Sequence, residues 1–85
     1  MMEYEMIKSQ LKSIFCNVIG SQVWVFIERN CAIFDYISPV NMLIITDIIE
    51  KHFNIEFDDD DLKYEHISSL GTITKLIQYK VQMKG

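Results

Sequence analysis

The chain has 85 residues, 49% hydrophobic and 24% charged, a balance that suits a single folded domain over residues 1–85 and excludes a disordered chain. Its net charge of -4, with eight scattered basic residues, argues against nucleic acid as a partner, because phosphate binding draws on clustered Lys and Arg. No run approaches the roughly 18 apolar residues of a membrane span. The opening "MMEYEMIKSQ" has no apolar leader region, so no membrane partner and a cytoplasmic address are expected.

Tyr4, Ile7, Leu11, Ile14 and Val18 recur at spacings of three, four, three and four, the stripe of an amphipathic helix over about residues 3–18. Gly20 supplies a stop. Residues 21–38 contain "QVWVFI", a β-branched and aromatic run that by itself suggests a short buried strand. No second strand-like run exists to pair with it. The expectation is therefore a long extended or irregular connector whose apolar side chains pack on helices, with a turn of helix within "NCAIFDY".

Ser38 is a good N-cap and Pro39 suits the first helical position, so a second helix runs from Pro39 to about Phe53. Met42, Ile45, Ile49 and Phe53 define its inner face, with Leu43 and Thr46 at the flank. Val40, Ile44 and Ile48 repeat every four residues on another face beside Asp47 and Lys51. That second apolar stripe has two readings: an interface, or a surface buried under residues 23–27. A homodimer through the same helix is a third.

Acidic residues favour a helix N-terminus, where the dipole is positive, so "DDDDLKYEH" predicts a short third helix around residues 59–65 anchored by Leu62. The run lacks the alternating acids and the Gly of a calcium loop and reads as a solvated cap. Ser68 or Ser69 caps a last helix whose buried stripe is Leu70, Ile73, Ile77 and Val81, with Leu76 beside them. The fold class is all-α: four helices packed around one core.

Catalysis needs positioned acid, base or nucleophile, and neither His52 nor His66 lies near a cysteine or serine in any motif, so the chain is not expected to be an enzyme. Both histidines read as surface or rim residues, and Trp24 as core. Cys16 and Cys31, with no CxxC, read as reduced and packed rather than as metal ligands; no metal is expected.

The run "IFDYISPVNMLIITDIIEKHFNIEFDDDDL" resembles the acyl and peptidyl carrier proteins. In that family an apolar-Phe-acid turn leads into Asp-Ser-Leu or Asp-Ser-Val. The second helix then ends in Phe, followed by an apolar-acidic-apolar link and an acidic start to the third helix. "HISSLGTITKLIQ" resembles the family's entry to its last helix. The likeness covers about half the chain well and the rest loosely. It implies a small four-helix bundle of the acyl-carrier-protein type with a long connector between the first two helices.

The family attaches 4′-phosphopantetheine to its serine. It carries acyl or aminoacyl thioesters between enzymes of fatty-acid, polyketide or peptide assembly. The implied partners are a phosphopantetheinyl transferase and acyl- or aminoacyl-loading and condensing enzymes. Ungapped from Phe53, the family's Asp falls on Ser38 and its modified serine on Pro39, which has no hydroxyl. Ser38, one residue early, is the remaining candidate for the arm; plain capping is its alternative role. The family docks partners through its second helix, which assigns Val40, Ile44 and Ile48 to apolar contact. Asp47, Glu50 and residues 58–61 would supply charge. An unmodified carrier-like module that docks a partner or dimerises through this helix is the alternative function.

Overall fold

The computed structural model describes residues 3–30 and 33–84. Helix α1 (Tyr4–Ile19) follows the predicted stripe in that Ile7, Leu11 and Ile14 are buried and Val18 packs at the edge of the core; Phe15, outside the predicted stripe, is buried as well. It ends at Gly20, whose φ of 92° is a conformation L side chains rarely adopt. There the Gly20 N–H still donates to the Cys16 carbonyl at 2.9 Å.

The turn at Gly20 passes directly into a second helix, α2 (Ser21–Asn30), where the sequence reading expected an extended connector. A β-branched run without a strand partner must satisfy its own backbone groups, and a helix does this internally. The helix also sends Trp24 and Ile27, three residues apart, to the same side. Both are buried, and the Trp24 ring meets Phe15 edge-on at 5.5 Å. The indole N–H donates to Glu28 Oε2 at 2.9 Å, one turn further on. α2 lies along α1 and leaves Val40 and Ile44 of the next helix exposed. It therefore does not bury the second apolar stripe.

A 3-10 turn follows at Ile33–Asp35, within the segment where a turn of helix was expected; residues 31 and 32, and with them the reading of Cys31, lie outside the described residues. Ile33 and Ile37 are buried, and the Ile33 N–H donates to the Ser68 carbonyl at 2.9 Å, tying this turn to the entry of the last helix. Helix α3 (Pro39–Phe53) has the predicted bounds. It ends with Asn54 in the left-handed region (φ 55°, ψ 51°), which Asn tolerates better than most residues. Met42, Ile45, Ile49 and Phe53 face the core as expected. Thr46, expected at the flank, is buried with its hydroxyl donating to the Leu43 carbonyl at 2.9 Å.

The predicted third helix is displaced. Residues 59–62 form turns, and helix α4 (Tyr64–Ile67) starts later and is only four residues long. The turns are closed by i→i+3 backbone bonds, from the Asp61 N–H to the Asp58 carbonyl at 3.0 Å and from the Leu62 N–H to the Asp59 carbonyl at 3.2 Å, and the Asp58 N–H donates to Asp61 Oδ2 at 2.8 Å. Helix α5 (Leu70–Lys84) buries Leu70, Ile73 and Ile77 with Val81 half-buried; Ser69 caps it, its Oγ accepting from the Thr72 N–H at 3.2 Å. Thr74, fully buried, satisfies its hydroxyl by donating to the Leu70 carbonyl.

The result is an all-helical fold with α1 at its centre, against α2, α3 and α5, while α4 packs on α5. Each fully buried Ile stabilises it by roughly 1.5–3 kcal/mol relative to exposure. No helix among the described residues is long and apolar enough to cross a membrane.

Candidate functional site

The head of α3 is built by its first four residues. Ser38 has extended backbone (φ -69°, ψ 155°) and its Oγ accepts from the Asn41 N–H at 3.2 Å, while Pro39 occupies the first turn, where no N–H is needed. Ser38 is exposed. The cap uses its oxygen as an acceptor and does not consume the hydroxyl proton.

Beyond the cap, Val40 is 68% exposed, Leu43 63% and Ile44 46%. These three sit at i, i+3 and i+4, so they form one patch on the outward face. Further along the same face the charge begins: Asp47 and Lys51 form an i,i+4 ion pair at 3.1 Å, both well exposed. The outer side of α3 is thus apolar in its first half and charged in its second.

The structure separates the residues that the sequence grouped together. Val40 and Ile44 share the exposed patch, joined by Leu43 rather than by Ile48. Ile48 is half-buried and lines a groove between α1 and α3 with Gln10, Ser13, Ile14, Asn17 and His52. His52 is exposed at this groove, its Nε2 2.7 Å from Gln10 Oε1. Asp47 borders the patch but is held by Lys51. Glu50 is turned to the following loop, where its carboxylate accepts from the Phe57 N–H at 2.9 Å.

The acidic run is engaged as well. Asp61 pairs with Lys80 of α5 at 2.6 Å, both side chains largely shielded from water, and Asp58 approaches the same Lys80 at 3.7 Å. Burial opposes ionisation of Asp61. The hydrogen bonds from Lys80 and the Asp58 N–H, with the charge of Lys80, outweigh it and hold the carboxyl below its ordinary value of 3.8. The hydrogen bond to Asp61 raises Lys80 above its ordinary 10.5, against the opposing effect of burial. Asp60 pairs with Lys63 at 3.5 Å on the surface. Asp58 and Asp61 thus tie the 58–61 turn to α5 through Lys80.

Beside the patch lies a feature that no sequence pattern announced. An apolar cavity of about 190 Å³ opens between the 3-10 turn, α3 and α4, lined by Phe34, Pro39, Met42, Leu43, Leu62 and Ile67 with Thr46. Its lining comes from four separate segments, which is why local periodicity could not reveal it. The exposed Leu43 was legible, since Val40, Leu43, Ile44 and Asp47 already follow the i, i+3, i+4, i+7 rule of one helical face. Leu43 belongs to both patch and cavity, and the exposed Pro39 lines the cavity next to Ser38, so patch and cavity form one continuous apolar surface.

Among the described residues, no group of three or more His, Cys, Asp or Glu is arranged to hold a metal ion. Cys16 is a free, half-buried thiol at the edge of the core. Comparison of the chain with family models, with curated proteins and with solved structures returns no match in any of the three.

Proposed function

We propose that this protein is a carrier-protein-like helical module that acts by docking a partner protein through the head and outer face of α3, rather than by catalysis. The observation that carries this reading is the exposure of Val40, Leu43 and Ile44 together, continuous with the apolar cavity behind Leu43. Water-exposed apolar groups clustered on one face are stabilised by burial against another surface, at about 25 cal/mol per Å² before the cost of association. The order of long helix, connector, capped helix, short helix and long helix supports a bundle of the acyl-carrier-protein type, with α2 as an additional helix inside the connector.

A second reading is favoured by Ser38 itself. It is an exposed hydroxyl at the N-terminus of a 15-residue helix, where an attached phosphate is electrostatically welcome, and it stands beside the apolar cavity. In this reading the chain carries 4′-phosphopantetheine on Ser38 and shuttles an acyl or aminoacyl group between loading and condensing enzymes. Pro39, where the family has its serine, weighs against it.

Intact mass after incubation with coenzyme A and several phosphopantetheinyl transferases separates the two. A gain of one phosphopantetheine that maps to Ser38 and disappears in Ser38→Ala supports the carrier reading. No gain with any transferase eliminates the arm and leaves the docking module. For docking, Ile44→Glu is expected to keep the helical circular-dichroism spectrum and lose association with the partner. An Ile44→Glu protein that unfolds would mean that the stripe is core, and would overturn the proposal.

A further inference from the structure

One wall of the apolar cavity is held differently from the others. Pro39, Met42, Leu43 and Thr46 are fixed within α3, Phe34 within the 3-10 turn and Ile67 within α4. Leu62 comes from the turns that precede α4. Whatever holds Leu62 in place decides whether the cavity is closed on that side.

The chain between α3 and α5 (residues 54–69) contains only the single helical turn of α4, so regular backbone bonding cannot hold it. It is pinned near both ends. The Phe57 N–H donates to Glu50 Oε2 at 2.9 Å, and the Ser68 carbonyl accepts from the Ile33 N–H at 2.9 Å. Helix α4 has its own anchors: it packs on α5, and Tyr64 stacks on Phe34 with ring centroids 5.5 Å apart. Residues 58–62 lie between these points. The hydrogen bonds from the Asp58, Asp61 and Leu62 N–H groups stay inside the segment, so they fix its shape and not its position on the fold. The ion pairs that tie it to another element end on Lys80, 2.6 Å from Asp61 and 3.7 Å from Asp58.

The side chains of Lys80 and Asp61 are each only 19% exposed. A pair shielded in this way is screened less by salt than one on the open surface. Removing the ammonium leaves the Asp61 carboxylate shielded and without its cation, and it regains hydration only by moving outward. Consecutive Cα atoms are about 3.8 Å apart, so Leu62 follows Asp61. Leu62 is only half-buried at the edge of the core, so modest packing opposes the move.

We propose that residues 58–62 are a strap that closes one side of the apolar cavity with Leu62, and that Lys80 is its latch: breaking the pair with Asp61 swings the strap outward and opens the cavity. Lys80 is then a positioning residue, acting on the cavity through Asp61 and Leu62. The proposal concerns the cavity itself and does not rest on the docking proposed above.

Relaxation of methyl signals by a neutral, water-soluble gadolinium chelate tests it, because the enhancement follows each methyl group's access to solvent. Lys80→Met keeps the apolar stem and removes the charge. It is expected to raise the enhancement at the Leu62 and Met42 methyls about two-fold or more over the wild type, as a local opening would. The methyls of Leu11, fully buried on α1, should not change. Lys80→Arg keeps the cation and should match the wild type. Asp61→Ser removes the other partner from a turn rather than from a helix, so it tests the latch without altering α5, and it should raise Leu62 and Met42 in the same way. No rise at Leu62 in either Lys80→Met or Asp61→Ser overturns the proposal. So does a rise confined to Leu62, since the cavity would then have stayed closed over Met42, or an equal rise at Leu11 in both variants, which would mark general loosening. Opening in Lys80→Arg as large as in Lys80→Met would also overturn it, because charge would not be the latch.

Discussion

Ile44 and Ile45 are neighbours of the same residue type in one helix, yet Ile45 is fully buried and Ile44 is 46% exposed. Truncating each to Ala therefore tests which way α3 faces. The change removes three carbon atoms. At about 0.8 kcal/mol per buried methylene, Ile45→Ala loses roughly 2.4 kcal/mol of transfer free energy. A further cavity contribution brings the expected cost to about 3–4 kcal/mol. At Ile44 about half the side chain already meets water, and water fills whatever space is left. The expected loss there is about 1 kcal/mol. The small gain in helix propensity from Ile to Ala offsets both equally.

Urea unfolding followed by circular dichroism measures the difference. A domain of this size has a stability of roughly 4–13 kcal/mol. With a slope of about 1–1.5 kcal/mol/M, Ile45→Ala should lower the midpoint by about 2–4 M and Ile44→Ala by no more than about 1 M, with slopes unchanged. If the two variants lie within about 0.5 kcal/mol of each other, or if Ile44→Ala costs more, then α3 is rotated from its assigned orientation. The exposed patch and the docking proposal would fall with it.

Ser38→Ala should lose the hydrogen bond from the Asn41 N–H and destabilise by about 0.5–2 kcal/mol in thermal unfolding, whereas Ser38→Gly should cost only a few tenths. Asn54→Ala, forced into left-handed backbone, should be less stable than the wild type, and Asn54→Gly no less stable. The Asp61–Lys80 pair makes stability depend on pH at both extremes. Asp61 titrates lower in the folded state than its ordinary 3.8, so its contribution is present above that value and is lost as pH falls through the folded value. Lys80 titrates higher than 10.5, so its contribution is present below 10.5 and is lost as pH rises through the folded value. Asp61→Asn should flatten the acid limb of a denaturation series. An unchanged limb would show that the pair adds nothing. Finally, Trp24 is buried against Phe15, so native fluorescence should be blue-shifted and should move to the red on unfolding. Native emission typical of solvated indole would show that α2 does not pack as described.

Much of the helical frame was legible locally. The bounds of α3 followed from Ser38, Pro39 and the end of apolar periodicity near Phe53, because a cap and a terminating residue act within one turn of themselves. The stripes of α1 and α5 likewise pointed to their buried residues. The candidate site was only half legible. Val40 and Ile44 could be placed by spacing, but whether they were covered depended on where residues 23–27 went. Glu50 shows the same limit, since its acceptance of the Phe57 N–H depends on how the loop after α3 folds back.

By itself, then, the sequence determined three amphipathic helices and their caps, since these depend on side chains three or four residues apart and on groups at the helix ends. Only the tertiary structure decided the fate of "QVWVFI". Its residues favour a strand, but with no partner strand and with Phe15 available to receive Trp24, packing outweighed propensity and α2 formed. The tertiary structure also decided that α2 runs along α1, that Ile48 turns inward, and that Lys80 binds Asp58 and Asp61. It alone assembled the apolar cavity beside Ser38, because that surface exists only where four segments distant in sequence meet.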